Sequence, residues 1–279
     1  MVRKGKLLKG RFDMHTHTTA SDGAFTPAEL VRRAYKLGLS GLAITDHDTL
    51  DGLDEAGDAI ALLNMQLIAG VELSCEADIA GEPREVHILG YFVEKPGQEL
   101  FDKLTELQAH RLRRGRIILS RLADLGMPLP DLAAEYTQSG SLGRGLIGRK
   151  MVEAGYAADT DEAFEKWLGK GKPAYEPRMK LPVADGVDLL HRNGALAVLA
   201  HPIQIGDDKA IKQLALLGLD GMEVSHPDHD PSAERRYRGM ARTYNLAVTG
   251  GSDCHIGGLG SHTATQQELD ALLARYPWR

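Results

Sequence analysis

The chain has 279 residues, 43 % of them hydrophobic and 26 % charged, with a net charge of −6. That length carries one large α/β domain or two modest ones with a proper core, and the acidic balance argues against general binding to duplex DNA. No apolar run is long enough to span a membrane, residues 1–9 are basic without the apolar core of a signal peptide, and Cys75 and Cys254 fit neither a zinc nor a disulfide pattern, so a cytoplasmic protein is expected.

Residues 10–13 read as a short strand running into Asp13-Met14-His15-Thr16-His17-Thr18-Thr19-Ala20-Ser21-Asp22. Residues two apart on a strand share a face, so His15 and His17 present paired imidazoles suited to a divalent metal. Asp22 follows a Thr/Ser-rich turn, within reach of a second cation. Thr26-Pro27-Ala28-Glu29 then predicts a capped helix ending at Gly38. A buried strand over 40–45 runs into Asp46-His47-Asp48, where either Asp has the chemistry to orient the imidazole or to cap the strand end. After a helix over 51–63, the next strand, 66–73, carries Glu72 near its end, and the strand over 85–92 carries His87.

The strand–helix rhythm then breaks. Residues 97–125 form one long amphipathic pattern containing Arg111 and Arg114, with helices expected over 144–154 and 161–168 and a loop over 169–178. Residues 97–180 carry 14 Lys/Arg against 12 Asp/Glu, while the rest carries 19 against 27. A helical insertion over the carboxyl ends of the strands is expected, basic beside an acidic body, as suits an anionic substrate.

Alternation resumes after Pro182. A helix to about 192 leads to a strand over 195–200 that ends in His201-Pro202. A helix over 210–217 precedes a strand over 219–224, which is followed by Ser225-His226-Pro227-Asp228-His229. After a helix over 233–244, a strand over 246–249 runs into Gly250-Gly251-Ser252-Asp253-Cys254-His255, and a last helix covers 266–275. His226 or His229 has the chemistry to protonate a leaving oxygen, the alternative being an ordinary loop histidine. Cys254, between two candidate ligands, is expected to point away and pack, and His110, His191 and His262 read as surface residues. Strands alternating with helices imply a mostly parallel sheet. With candidate ligands at nearly every strand end, a barrel suits better than an open sheet.

Those candidates are His15, His17, Asp22, His47, Glu72, His87, His201, Asp253 and His255, which include six of the eleven histidines. Nine nitrogen and oxygen donors without a thiolate exceed one tetrahedral ion, so at least two cations are expected, manganese first, with zinc or iron as alternatives.

These motifs, in this order, resemble the polymerase and histidinol phosphatase (PHP) family of metal-dependent phosphoesterases. The helical insertion is similar to that of the branch with nucleoside 3′,5′-bisphosphate phosphatases and a 5′-to-3′ exoribonuclease. The resemblance implies a distorted (β/α)7 barrel made of residues 1–96 and 181–279, with 97–180 as a helical substrate cap. It also implies three metals. His15, His17, Glu72 and Asp253 would hold one, Asp22, His47 and His255 a second, and Glu72, His87 and His201 a third. A metal-bridging hydroxide would attack phosphorus, with Asp253, Glu72 and His226 as catalytic groups and Arg144, Arg111 and Arg114 as phosphate ligands. Two departures touch substrate contacts: Gly143-Arg144-Gly145-Leu146 replaces the usual Gly-Arg-Pro-His, and Ile203-Gln204 replaces the Gly-Arg after His-Pro. The expected substrate is a nucleotide or short single-stranded oligonucleotide with a terminal phosphate. Histidinol phosphate, a C–N bond, or a catalytically silent metal-binding module are the alternatives. The C–N reading is weakened because no strand carries a lysine suited to bridging two metals.

Overall fold

The computed structural model describes residues 10–135 and 142–276; the expectation about residues 1–9 lies outside them. In chain order, β1 (Arg11–Asp13), α1 (Pro27–Lys36), β2 (Gly41–Ile44), α2 (Leu53–Ile60), β3 (Gln66–Ile79) and β4 (Glu82–Phe92) come first. Helices α3 (Gln98–Asp124), α4 (Pro130–Glu135), α5 (Arg144–Glu153) and α6 (Thr160–Ala163) follow, the last continued by a π-helical turn over Phe164–Leu168. Then come β5 (Leu181–Pro182), α7 (Val183–Arg192), β6 (Ala195–Leu199), α8 (Asp208–Ala215) and β7 (Gly221–Ser225). The order ends with α9 (Pro231–Thr243), β8 (Ala247–Gly250), β9 (Ala264–Thr265) and α10 (Gln266–Leu273). Among the described residues no helix is long and apolar enough to cross a membrane.

The strands run in the order β8-β7-β6-β4-β3-β2-β1-β9, with β5 on β3. Beyond these strand pairings, Met14 N–H donates to Gly250 O (3.2 Å) and His17 N–H to Cys254 O (3.1 Å), bringing the end of β8 back to β1. The sheet is therefore a nearly closed, distorted barrel with helices packed on it, the α/β class expected. A Cβ on Gly251 would lie 2.3 Å from the Cβ of His15, so this closure needs glycine. Phe12, Met14, Leu89, Tyr91, Leu196 and Val198 belong to one buried core cluster. The Tyr91 hydroxyl donates to Met14 O at 2.8 Å, so the phenol in that core is not left unpaired. The Thr26 cap forms as read: Glu29 N–H donates to Thr26 Oγ1 (3.3 Å) while Thr26 N–H donates to Glu29 Oε2 (3.0 Å).

The structure differs from the sequence reading at four places. β3 and β4 are longer than read and form an antiparallel hairpin, and β4 is also antiparallel to β6. The cause is a two-residue turn, Ala80-Gly81, with φ of +57° and +85°, whose first position lacks the usual Asn or Asp signal. Asp78 closes it by accepting from Gly81 N–H at 2.8 Å. The two-residue strands β5 and β9 are too short to show periodicity, and the single helix read over 161–168 is one α-helical turn followed by a π turn. The short helix α4 had no signal in the reading.

The chain divides into two compact units, Met1–Phe101 with Lys180–Arg279, and Asp102–Met179. Within the second, Ile118, Leu122, Leu142, Ile147, Met151 and Leu168 lie in one buried cluster.

Candidate metal centre

The parallel strands deliver ligand candidates just beyond their carboxyl ends. His15 and His17 follow β1, His47 follows β2, His201 follows β6, His226 follows β7, and Asp253 and His255 follow β8. Glu72 lies within β3, level with His47 through an isolated bridge. His87 reaches the same level from the middle of β4, because that strand runs the other way and His87 pairs with Ser74.

The nine side chains read from the sequence converge. His15 Nε2 and His17 Nε2 are 3.2 Å apart. His15 Nε2 lies 3.4 Å from both Glu72 Oε2 and Asp253 Oδ1, and His17 Nε2 lies 3.2 and 3.1 Å from the same two atoms. A tetrahedron of ligands about 2.0–2.1 Å from its centre has edges of about 3.3–3.4 Å, and these five distances are close to such edges. Glu72 divides its oxygens. Oε2 also meets His47 Nδ1 at 3.0 Å, whereas Oε1 meets His87 Nδ1 at 2.8 Å and His201 Nε2 at 3.0 Å. Asp22 meets His255 Nε2 at 3.2 Å and His47 Nε2 at 3.9 Å. Grouping by donor distance gives several sets that fit a cation, among them His15, His17 and Asp253, and His47, Glu72 and His87.

The electrostatics match this donor set. Burial alone would raise the carboxyl pKa values of Glu72, Asp22 and Asp253, yet the surrounding imidazoles hold all three well below the usual range. The carboxylates are therefore anionic and ready to receive a cation.

Neighbouring polar residues shape the loops. Asp46 accepts from Thr18 N–H and Oγ1 (both 2.7 Å) and from Ser21 Oγ (2.6 Å), which fixes the turn between His17 and Asp22. Asp48 accepts from Ser74 N–H and Oγ, both at 2.8 Å, tying the His47 loop to β3. Asp13 accepts from Ser252 N–H (2.9 Å) and Oγ (2.6 Å) and from Gly260 N–H (2.7 Å), tying the Asp253 loop to β1. Cys254 packs among Leu30, Val31 and Ile44, and burial pushes its thiol up to about 11, so it is no thiolate ligand.

One residue escaped the sequence reading. Glu223, in the middle of β7 and fully buried, lies 3.2 and 3.3 Å from His15 Nδ1 through its two oxygens and accepts from His201 N–H at 2.9 Å. Its signal was a lone carboxylate in the apolar run Gly221-Met222-Glu223-Val224, where a buried charge requires a partner. His191 also differs from its reading, since it is half-buried and bonded to Asp220 at 2.8 Å.

His226 is buried, its Nε2 3.5 Å from Asp253 Oδ2, while Asp228 N–H donates to its Nδ1 at 3.1 Å. That bond leaves the ring proton on Nε2. His229 is buried too, its Nδ1 2.8 Å from Val224 O.

The three candidate arginines lie in the unit Asp102–Met179. Arg111 and Arg114 are buried. Arg114 Nε donates to Glu176 O at 2.7 Å. The guanidinium of Arg111 passes beside Gly143, where an added Cβ would come within 3.3 Å of it. Arg144 lies over the rings of Phe164 and Tyr175 at 5.4 and 5.8 Å.

Comparison with known proteins adds independent findings. A family model described as PHP domain matches residues 13–126. The 5′-3′ exoribonuclease Rnm of Salmonella typhimurium is 35 % identical over 254 residues, covering 88 % of this chain and 85 % of the relative. The 3′,5′-nucleoside bisphosphate phosphatase of Chromobacterium violaceum is 29 % identical over 274 residues, covering 96 % and 95 %. A solved structure from Bifidobacterium adolescentis, assigned as a metal-dependent phosphoesterase, superposes with a TM-score of 0.84 at 29 % identity over 96 % of both chains.

Proposed function

The chain belongs to the PHP family of metal-dependent phosphoesterases, and from that premise we propose that it hydrolyses terminal phosphate esters of nucleotides. Nucleoside 3′,5′-bisphosphates and short 5′-phosphorylated single-stranded oligonucleotides are the proposed substrates, in keeping with one relative named as a 5′-3′ exoribonuclease and another as a 3′,5′-nucleoside bisphosphate phosphatase. The observation that carries the reading is the pair of His15 and His17 Nε2 atoms, 3.2 Å apart, each within 3.1–3.4 Å of both Glu72 Oε2 and Asp253 Oδ1.

In this reading His15, His17, Glu72 and Asp253 hold one divalent ion, and Asp22, His47 and His255 a second. Glu72, His87 and His201 hold a third. The mixed imidazole and carboxylate donors suit manganese, with zinc or iron sharing the same chemistry. Such ions lower the pKa of water to about 7 and draw charge from phosphoryl oxygens. Glu72 and Asp253 supply the negative charge that retains the ions, and Glu72 joins two of the sets through its separate oxygens. The Nε2–H of His226 offers a hydrogen bond to the ester oxygen as it leaves, and the proton that oxygen finally takes comes from solvent. Arg144, Arg111 and Arg114 bind phosphate, the planar guanidinium matching two of its oxygens at once. Residues 97–180 contribute to substrate selection.

The test supplies the manganese-loaded protein with adenosine 3′,5′-bisphosphate, a 5′-phosphorylated RNA oligonucleotide and histidinol phosphate. Inorganic phosphate and mononucleotides are then measured. Turnover of either nucleotide substrate is the expected result; turnover of histidinol phosphate alone would overturn the nucleotide assignment.

A further inference from the structure

Glu223 is a fully buried carboxylate at the centre of β7, flanked by Met222 and Val224. An ionised carboxylate only accepts hydrogen bonds, so the nitrogen it faces on His15 must carry the proton. Both Glu223 oxygens lie within 3.3 Å of His15 Nδ1. The opposite nitrogen, Nε2, is then the one a cation would take, and it faces His17 Nε2, Glu72 Oε2 and Asp253 Oδ1, each within 3.4 Å.

The same carboxylate acts on a second strand. His201 has φ of +24°, a backbone conformation that side chains other than glycine rarely adopt. Its N–H donates to Glu223 Oε2 at 2.9 Å, and its ring places Nε2 3.0 Å from Glu72 Oε1. One buried side chain on β7 thus meets the ring of a residue after β1 and the backbone of a residue after β6.

We propose that Glu223 is the positioning residue of this centre, setting the His15 tautomer and holding the His201 turn so that both imidazoles present Nε2 to a cation. The proposal rests on the metal-site reading above. A hydrogen-bonded partner behind a metal-binding imidazole fixes its tautomer and orientation, and its loss weakens metal binding about 10–100-fold.

Two readouts separate this role from a merely structural one. Zinc-loaded protein labelled with 15N-histidine is compared with Glu223→Gln by long-range 1H–15N spectra, which report the protonated nitrogen of each ring. Zinc affinity is measured in parallel by competition with a chelator of known affinity. In the wild type, His15 is expected to carry its proton on Nδ1. In Glu223→Gln the circular dichroism is unchanged, the His15 signals shift, and zinc affinity falls about 10–100-fold. Unchanged spectra together with unchanged affinity would overturn the proposal. If Glu223→Gln does not fold, the wild-type spectrum decides alone, and a His15 proton on Nε2 overturns it. Wild-type protein that binds no divalent ion refutes the metal-site reading instead, a failure visible before any variant is made.

Discussion

Burial by itself would strip the proton from His17, but Asp253 and Glu72 more than offset it and hold its pKa at about 10 in the metal-free chain. The same competition, with Glu72 and Glu85 against burial, holds His87 at about 9. Both are raised above the value of about 6.5 expected in the unfolded chain. The stabilisation from these pairings is therefore complete below pH ~6.5 and lost as pH rises through about 9 to 10. A cation needs the same nitrogens deprotonated, so it must displace those protons. Calorimetric titration with manganese at pH 7.5 should show a binding heat that varies with the buffer's ionisation enthalpy, corresponding to net proton release. Affinity should rise with pH up to about 9. Heats independent of buffer would mean that the donors are not protonated in the free protein. At this same scale, Asp253→Ala removes a donor 3.1 and 3.4 Å from two imidazoles. It is expected to cut turnover of the nucleotide substrates by more than about a hundredfold, beyond the loss typical for an outer-shell partner. A fully active Asp253→Ala would remove that residue from the site.

Helix α1 shows how far an element can be read from its sequence. Thr26, Pro27 and Glu29 specify its start, and Gly38, at φ +75°, follows its end. Both bonds of the reciprocal cap are present, so Thr26→Ala should lower stability by ~1 kcal/mol. Urea unfolding measures that loss, and nucleotide turnover per folded molecule should stay unchanged; a variant as stable as the wild type would show that the cap contributes nothing. The placement of His47 and Asp253 was legible for a similar reason, since each follows a short apolar run whose end could be placed, and that of His15 and His17 from their two-residue spacing at a strand end. The direction of β4 was not legible. Periodicity is the same for a parallel and an antiparallel strand, and only the Ala80-Gly81 turn, with an uninformative first residue, reverses the chain. Glu223 was missed because the strand was read for its apolar pattern, while its one charge was the informative feature. The grouping of nine donors into sets was beyond spacing altogether. It depends on which oxygen of Glu72 faces which imidazole, a matter of side-chain rotamers rather than of order along the chain.

Across the whole molecule, the donors span residues 15 to 255, so cation binding ties together loops that are contiguous only in the folded barrel. An ion bound by the native state and not by the unfolded chain stabilises through mass action, by ~2.7 kcal/mol when free metal is one hundred times its dissociation constant. For a chain of this size that corresponds to a rise in Tm on the order of 5–10 °C, reversed by chelation. The effect should also be local. The core of Ile118, Leu122, Ile147 and Met151 lies in the other compact unit and includes none of the nine donors. Hydrogen exchange with and without manganese should therefore slow mainly in the segments around 15–22, 47, 72, 201 and 253–255, with little change across 112–124 and 146–168. Slowing concentrated in the latter segments, with the strand-end loops unaffected, would mean that the metal binds elsewhere and that the convergence of imidazoles and carboxylates serves the fold alone.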